Sequence, residues 1–352
     1  METLKNFLAS DWGEVRIGKN VYPVRLIVAV GGAALWLGTM LVETGTGGIA
    51  AIWTNLLFLI PLVAICSATR TVSLRELVSL CFIGGFMMGV VLLVGPVNPT
   101  SSVGRFLMPP LLEESCKISP VLFLLWRWRK SRLWTLAASD VLLMAAASGG
   151  GFGLVEDAYI RHRFGWPAQL DWLPVTEIIG GRIIAGHAIW TALAGLTIGL
   201  SLLLRNRRPI AAAVAASGFV VSVLDHIANN YGFGSRVGFA GFMNAIAMQG
   251  YLVIYLLFLG LVAVLAADLY VVHKTLPRLP ELSLPSAVRD FPRKWAFSVQ
   301  KRALAHAVFN YRRSTGLERA EAITMAALLD AWFKNVYYVY EKVPSSPIPA
   351  RA

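Results

Sequence analysis

Charge is what this chain has least of. Of its 352 residues only 15% are Asp, Glu, Lys or Arg, and 56% are hydrophobic. Soluble domains are nearer one quarter charged and half apolar, so an ordinary water-soluble fold is excluded. Cysteine is scarce too. Cys66, Cys81 and Cys116 all lie within apolar runs. An odd number in such places gives neither a disulfide framework nor a zinc-ligand spacing, and they read as small packing residues. No internal repeat or low-complexity tract is visible. The first twenty residues are polar and the first apolar run is too long for a signal h-region, so no cleavable leader is expected.

Long apolar runs are what is there in quantity. About twenty apolar residues in a helix cross the roughly 30 Å hydrocarbon core of a bilayer. Eight stretches qualify, running roughly over 22–43, 48–68, 76–95, 106–126, 135–160, 182–204, 209–230 and 244–271. The predicted class is therefore all-α, a polytopic membrane protein of about eight spans.

The formal net charge of +12 is a matter of position rather than of a nucleic-acid partner, and none is expected. Lys5, Arg16, Lys19 and Arg25 precede or open the first span, and the next connection has no basic residue. Arg70 and Arg75 follow the second span, and 96–104 has none. Arg127, Arg129, Lys130 and Arg132 crowd one turn, and Arg205, Arg207 and Arg208 another. Alternate connections are basic, which predicts a cell-membrane protein with both termini in the cytoplasm. Arg161, Arg163, Arg182 and Arg236 fall on the other side. The stretch 161–181, with Trp166 and Trp172 beside Pro167 and Pro174, reads as an interfacial, anchored loop.

After residue 272 the character changes. Pro277, Pro280 and Pro285 mark a linker, followed by two amphipathic helical patterns either side of Gly316. Met325, Leu329, Trp332, Val336 and Val339 would share one face, while Arg293, Lys294, Lys301, Arg302, Arg312 and Arg313 make the first pattern basic. Residues 1–272 thus read as a transmembrane core and 273–352 as a cytoplasmic basic tail that meets anionic lipid headgroups or a protein partner.

Ionisable residues within spans cost at least ~2.5–3.5 kcal/mol each to insert, and each needs a reason. The fourth span carries Glu113, Glu114 and Lys117, and the fifth carries Glu156 and Asp157 after a glycine-rich stretch. The sixth opens with Arg182 and contains His187, Trp190 and Thr191. The seventh ends in Asp225, His226, Asn229 and Asn230. With the orientation above, Glu113, Glu114, Glu156, His187 and His226 all fall ~6–12 Å below the outer interface. Four helices of alternating direction put them at one depth, which points to one shared site.

Spacing within each motif agrees. Lys117 is i+3 from Glu114 and i+4 from Glu113, within reach of either carboxylate. It can neutralise one and leave the other for proton transfer. His187 shares a face with Thr191, and His226 with Asn230. Glu, His and Asn suit activation of a water and stabilisation of an oxyanion. His187 and His226 with carboxylates would equally suit zinc or another divalent metal. Both mechanisms fit these residue types. The glycines from Gly149 to Gly153 are no phosphate cradle, lacking a preceding strand and a Lys-Ser/Thr pair, and read as close helix packing. Asp140 lies near a helix end, where it can snorkel to water.

These motifs resemble the PrsW family of intramembrane proteases, a branch near the CAAX prenyl proteases. The resemblance rests on EExxK at Glu113, Glu114 and Lys117, a Gly/Phe-rich motif ending in Glu156, HxxWT at His187, Trp190 and Thr191, and HxxxN at His226 and Asn230. It covers roughly 105–232. One departure is Asp157, where the family usually has Asn. The resemblance implies hydrolysis of peptide bonds in membrane-anchored protein substrates, by a metal-dependent or glutamate-dependent route. In that role Glu113 or Glu114 is the general base, His187 and His226 position water or bind metal, Glu156 orients one of them, and Asn230 serves the oxyanion. The rival readings are a proton-coupled transporter or channel and a catalytically inactive sensor or scaffold acting through the tail.

Overall fold

The computed structural model of the chain describes residues 14–17, 20–23, 58–66, 69–94, 102–128, 136–164, 176–179, 182–204, 206–231, 241–242 and 245–275. In chain order these give hairpin β1 (Glu14–Ile17) and β2 (Asn20–Pro23), helix α1 (58–66), α2 (Leu74–Val94), α3 (Ser102–Arg127) and α4 (Ala138–Phe164). Hairpin β3 (Thr176–Ile179) and β4 (Arg182–Ala185) follows, then α5 (His187–Leu203), α6 (Arg208–Tyr231) and α7 (Tyr251–Thr275). The predicted first span and the tail after residue 275 lie outside the described residues.

The body is helical, as the hydropathy pattern predicts. Among the described residues four helices are long and apolar enough to cross a membrane: Leu74–Val94, Ala138–Asp157, Arg208–Asn230 and Met248–Val271. Helix α5 is apolar but shorter. Helix α3 has the length, yet it holds Glu113, Glu114, Lys117 and three internal prolines. Pro120 cannot donate to the Cys116 carbonyl one turn back, and the Ser119 hydroxyl donates to it instead at 2.9 Å.

Helix α4 is the centre. Its span is buried throughout, and it packs chiefly on α5 and α2. Small residues permit this. A Cβ on Gly84 would fall on the Ser148 carbonyl, one on Gly151 on the Cys81 carbonyl, and one on Gly199 on the Ala138 carbonyl. The backbones of α2, α4 and α5 therefore touch, as small residues allow in membrane helices. Around them Leu80, Leu124, Leu142, Met144, Trp128 and Leu196 fill one apolar core.

Three features differ from the sequence reading. The sixth span was expected from residue 182, but Arg182–Ala185 is a strand paired antiparallel with Thr176–Ile179, and the helix begins at His187. The pattern Ile-Ile-Gly-Gly-Arg-Ile-Ile is a hairpin signal hidden in an apolar run. The expected loop 161–181 is partly regular, since α4 continues to Phe164. Asp140 does not snorkel. It is fully buried and accepts from the Thr71 and Val72 amides at 2.8 and 3.1 Å, from the Ala137 amide at 2.8 Å, and from the Thr71 hydroxyl. Beside it Asp268 of α7 accepts from the Ala138 and Ser139 amides at 3.0 and 2.9 Å. Two carboxylates thus cap the start of α4, whose amides have no helical partner.

Before α7, Met248 and Gln249 take left-handed conformations (φ 50° and 56°), followed by Gly250 at φ 89°. A side chain on Gly250 would collide with the Ile183 carbonyl, so this glycine lets the turn press against β4.

Candidate active site

The four polar motifs meet. Lys117 of α3 is completely buried and donates from Nζ to Glu114 Oε1 at 2.6 Å. The same Nζ lies 2.5 Å from His187 Nδ1 at the start of α5, and 3.9 Å from Glu113 Oε2. His226 of α6 places Nδ1 2.9 Å from Glu114 Oε1 and Nε2 3.6 Å from Glu113 Oε2. Glu156 of α4 places Oε2 2.9 Å from His187 Nε2. One chain of contacts runs Glu156–His187–Lys117–Glu114–His226 and draws on α3, α4, α5 and α6.

Local sequence explains how each side chain arrives. Lys117 sits one turn beyond Glu114, on the same face of α3. Its ammonium also lies over the rings of Phe152 (4.7 Å) and Trp190 (5.5 Å), so cation–π attraction adds to the ion pair. The Lys117 carbonyl accepts from the Ser148 hydroxyl at 2.7 Å, tying α3 to α4. His187 was expected more than a turn inside its helix and instead opens it, with Gly186 as the residue before the first turn. A Cβ on Gly149 would meet the His187 carbonyl and Thr191, and one on Gly153 would stand 3.0 Å from the His187 ring. Gly149 and Gly153, one turn apart, thus form the trough in α4 that receives His187. Thr191 Oγ1 donates back to the His187 carbonyl at 2.8 Å.

The tautomer of His226 follows from its partner. An ionised carboxylate only accepts, so against an ionised Glu114 the His226 Nδ1 carries a proton, and Nε2, 3.6 Å from Glu113 Oε2, is the nitrogen left to exchange one. Glu114 Oε1 takes both the Lys117 and the His226 bonds. Glu113 Oε2 and Glu156 Oε2 accept no hydrogen bond among the described residues, though both atoms are buried; Glu156 Oε2 has an ion-pair contact with His187 Nε2, and Glu113 Oε2 has longer ones with Lys117 and His226. Orphaned buried oxygens are costly and need a partner the protein alone does not supply.

Glu113, Glu156 and His187 each offer one donor atom, and these lie within 4.8 Å of one another. Two carboxylate oxygens and an imidazole nitrogen suit a divalent cation such as zinc, and the two orphaned oxygens belong to this set. His226, expected alongside His187 as a ligand, stands beside the group rather than in it. Asn230 is half-buried and makes no hydrogen bond to these residues. Its neighbour Asn229 is buried with Oδ1 unpartnered. The sequence reading passed over Asn229, and the doubled Asn was the available signal. It gave Asp225 as a flanking residue that orients the motif, but not the part of Trp190 in this. The Trp190 ring stacks on His226 with centroids 4.2 Å apart and planes 14° apart, and its indole N–H donates to Asp225 Oδ2 at 2.8 Å.

No curated protein and no solved structure matches the chain. A family model does match it, that of the PrsW family intramembrane metalloproteases, over residues 51–264. The match takes in every residue of this pocket and more than half of the chain, so the protein is a multi-pass membrane peptidase that belongs to the PrsW family of intramembrane metalloproteases.

Proposed function

We propose that the protein hydrolyses peptide bonds of membrane-anchored protein substrates, at a pocket close to the outer face of the cell membrane. The chain is read as crossing that membrane about eight times with both termini in the cytoplasm, on the alternation of basic connections. The observation that carries the site assignment is the convergence of Glu113, Glu156 and His187 from three helices, with a buried oxygen on each carboxylate that accepts no hydrogen bond among the described residues.

In this reading Glu113, Glu156 and, through an Nε2 freed of its proton, His187 would hold a divalent cation, zinc by donor type. When bound, such an ion polarises the scissile carbonyl and makes a water acidic enough to attack at neutral pH. The chain's own groups do the rest. Glu114 is bonded to Lys117 and His226, so of the two carboxylates between which the sequence left the base open it is the one that acts as an anchor. His226, with Nδ1–H on Glu114 and a lone pair on Nε2, takes the proton of the attacking water and returns it to the leaving amine. Lys117 holds Glu114 and His187 in register. Asn230, on the His226 face of α6, is assigned to the oxyanion. The tail after residue 272 is assigned to anionic lipid or a protein partner.

Changing Glu113→Ala together with Glu114→Ala should abolish cleavage of a membrane-anchored reporter while expression persists, and a chelator should do the same to the wild type. Cleavage that survives both treatments would remove this mechanism.

A further inference from the structure

Asp225 and His226 are neighbours on α6, and successive helical side chains do not face one another. Asp225 nevertheless reaches the His226 ring through α5. Its Oδ2 accepts the Trp190 indole N–H at 2.8 Å, and that indole lies flat on His226 at 4.2 Å. Trp190 is also held at its carbonyl, which accepts from the Ser222 hydroxyl at 2.7 Å. Both Asp225 and Trp190 are buried.

His226 otherwise has one in-plane restraint, the Nδ1 bond to Glu114. A single hydrogen bond leaves the ring free to tilt about the N–H axis. A tilt would swing Nε2 away from its place 3.6 Å from Glu113 Oε2. The stacked indole removes that freedom. The indole, packed in the core, is itself fixed at its far edge by the N–H bond to Asp225. We infer that Asp225 is a positioning residue which, through Trp190, fixes the plane of His226 and so the direction of its Nε2 lone pair. The inference rests on the reading of His226 as proton acceptor for its consequence in catalysis, but the positioning itself is measurable without activity.

The test uses full-length protein in micelles with histidines labelled in nitrogen-15, the His226 signals assigned by their loss in His226→Gln. Asp225→Ala and Trp190→Phe should each shift and broaden the His226 ring nitrogens. Asp225→Asn, which keeps an oxygen acceptor, should restore the wild-type pattern. Made in the Trp190→Phe background, Asp225→Ala should add no further change. If Asp225→Ala does not fold, Trp190→Phe and Asp225→Asn still decide. The inference is overturned if Asp225→Asn shifts His226 as Trp190→Phe does, or if Asp225 still moves His226 when the indole is gone. With a membrane-anchored fluorescent reporter, Asp225→Ala should lower kcat by ~10–100-fold at near-constant KM. A wild type that cleaves nothing would count against the protease reading while leaving the nitrogen signals to judge the positioning.

Discussion

Replacing Lys117 with methionine keeps the unbranched stem and removes the charge. Lys117 is wholly buried, and its Nζ is 2.6 Å from a Glu114 carboxylate that is itself only 2% exposed. Taking away one member of a buried ion pair costs about 3–5 kcal/mol, because the other charge stays behind in a low-dielectric site. Glu114 would keep the His226 Nδ1–H bond, which places the loss toward the lower end, near 3 kcal/mol. The bond to His187 Nδ1 goes as well, adding about 1 kcal/mol. The expected total is about 4 kcal/mol. Adding Glu114→Gln removes the stranded charge while leaving an acceptor for His226. The double variant should lie only about 1–2 kcal/mol below wild type, so the second change should recover about 2–3 kcal/mol. Equilibrium unfolding in mixed micelles, followed by tryptophan fluorescence and helical circular dichroism, measures both. A Lys117→Met loss under about 1 kcal/mol, or a double variant less stable than the single, would refute the reasoning.

Glu156→Gln should strip metal from the purified protein while His226→Gln keeps it, although both stop cleavage. Elemental analysis of the two separates ligand from base. Gly151→Ala should cost about 1–3 kcal/mol, since its Cβ lands on the Cys81 carbonyl and α2 must move away from α4. Thermal unfolding in detergent reads that loss. Asp268→Ala strands the Ala138 and Ser139 amides and should cost about 2–3 kcal/mol, visible as a lowered Tm with metal content unchanged.

The sequence reveals the site better than it reveals the fold. Lys117 and Glu114 meet because helical spacing is a local rule, and that rule is legible in four letters. The convergence of α3, α4, α5 and α6 was legible only through depth, since ionisable groups in a bilayer are expensive enough to gather. What escaped was set by neighbours distant in the chain. His187 opens its helix because the preceding apolar residues pair as β4 with β3, and an apolar strand and an apolar span look alike in hydropathy. Trp190 reads as core, and nothing local says that its ring faces His226 and its N–H faces Asp225. Among the described residues α3 is not among the helices apolar enough to cross a membrane, and it is the one that carries Glu113, Glu114 and Lys117.

Buried carboxylates occur at both ends of α4, and the contrast between them separates structure from chemistry. At the first end Asp140 and Asp268 are fully buried, yet each of their oxygens accepts at least one hydrogen bond from a backbone amide, at the start of α4 or at Thr71 and Val72 before α2. Such a carboxylate stabilises and has nothing left to offer a substrate. At the other end Glu156 and, from α3, Glu113 each keep a buried oxygen without a hydrogen bond, while Glu114 next door takes two on Oε1. The cost of those two open positions is borne by a rigid surround: glycine-to-carbonyl contacts between helices, a lysine with no exposure, and a stacked Trp190–His226 pair. A helix capped firmly at one end can hold Glu156 in place at the other. Intramembrane charge alone marks both regions. Unsatisfied charge marks the one that works on something else.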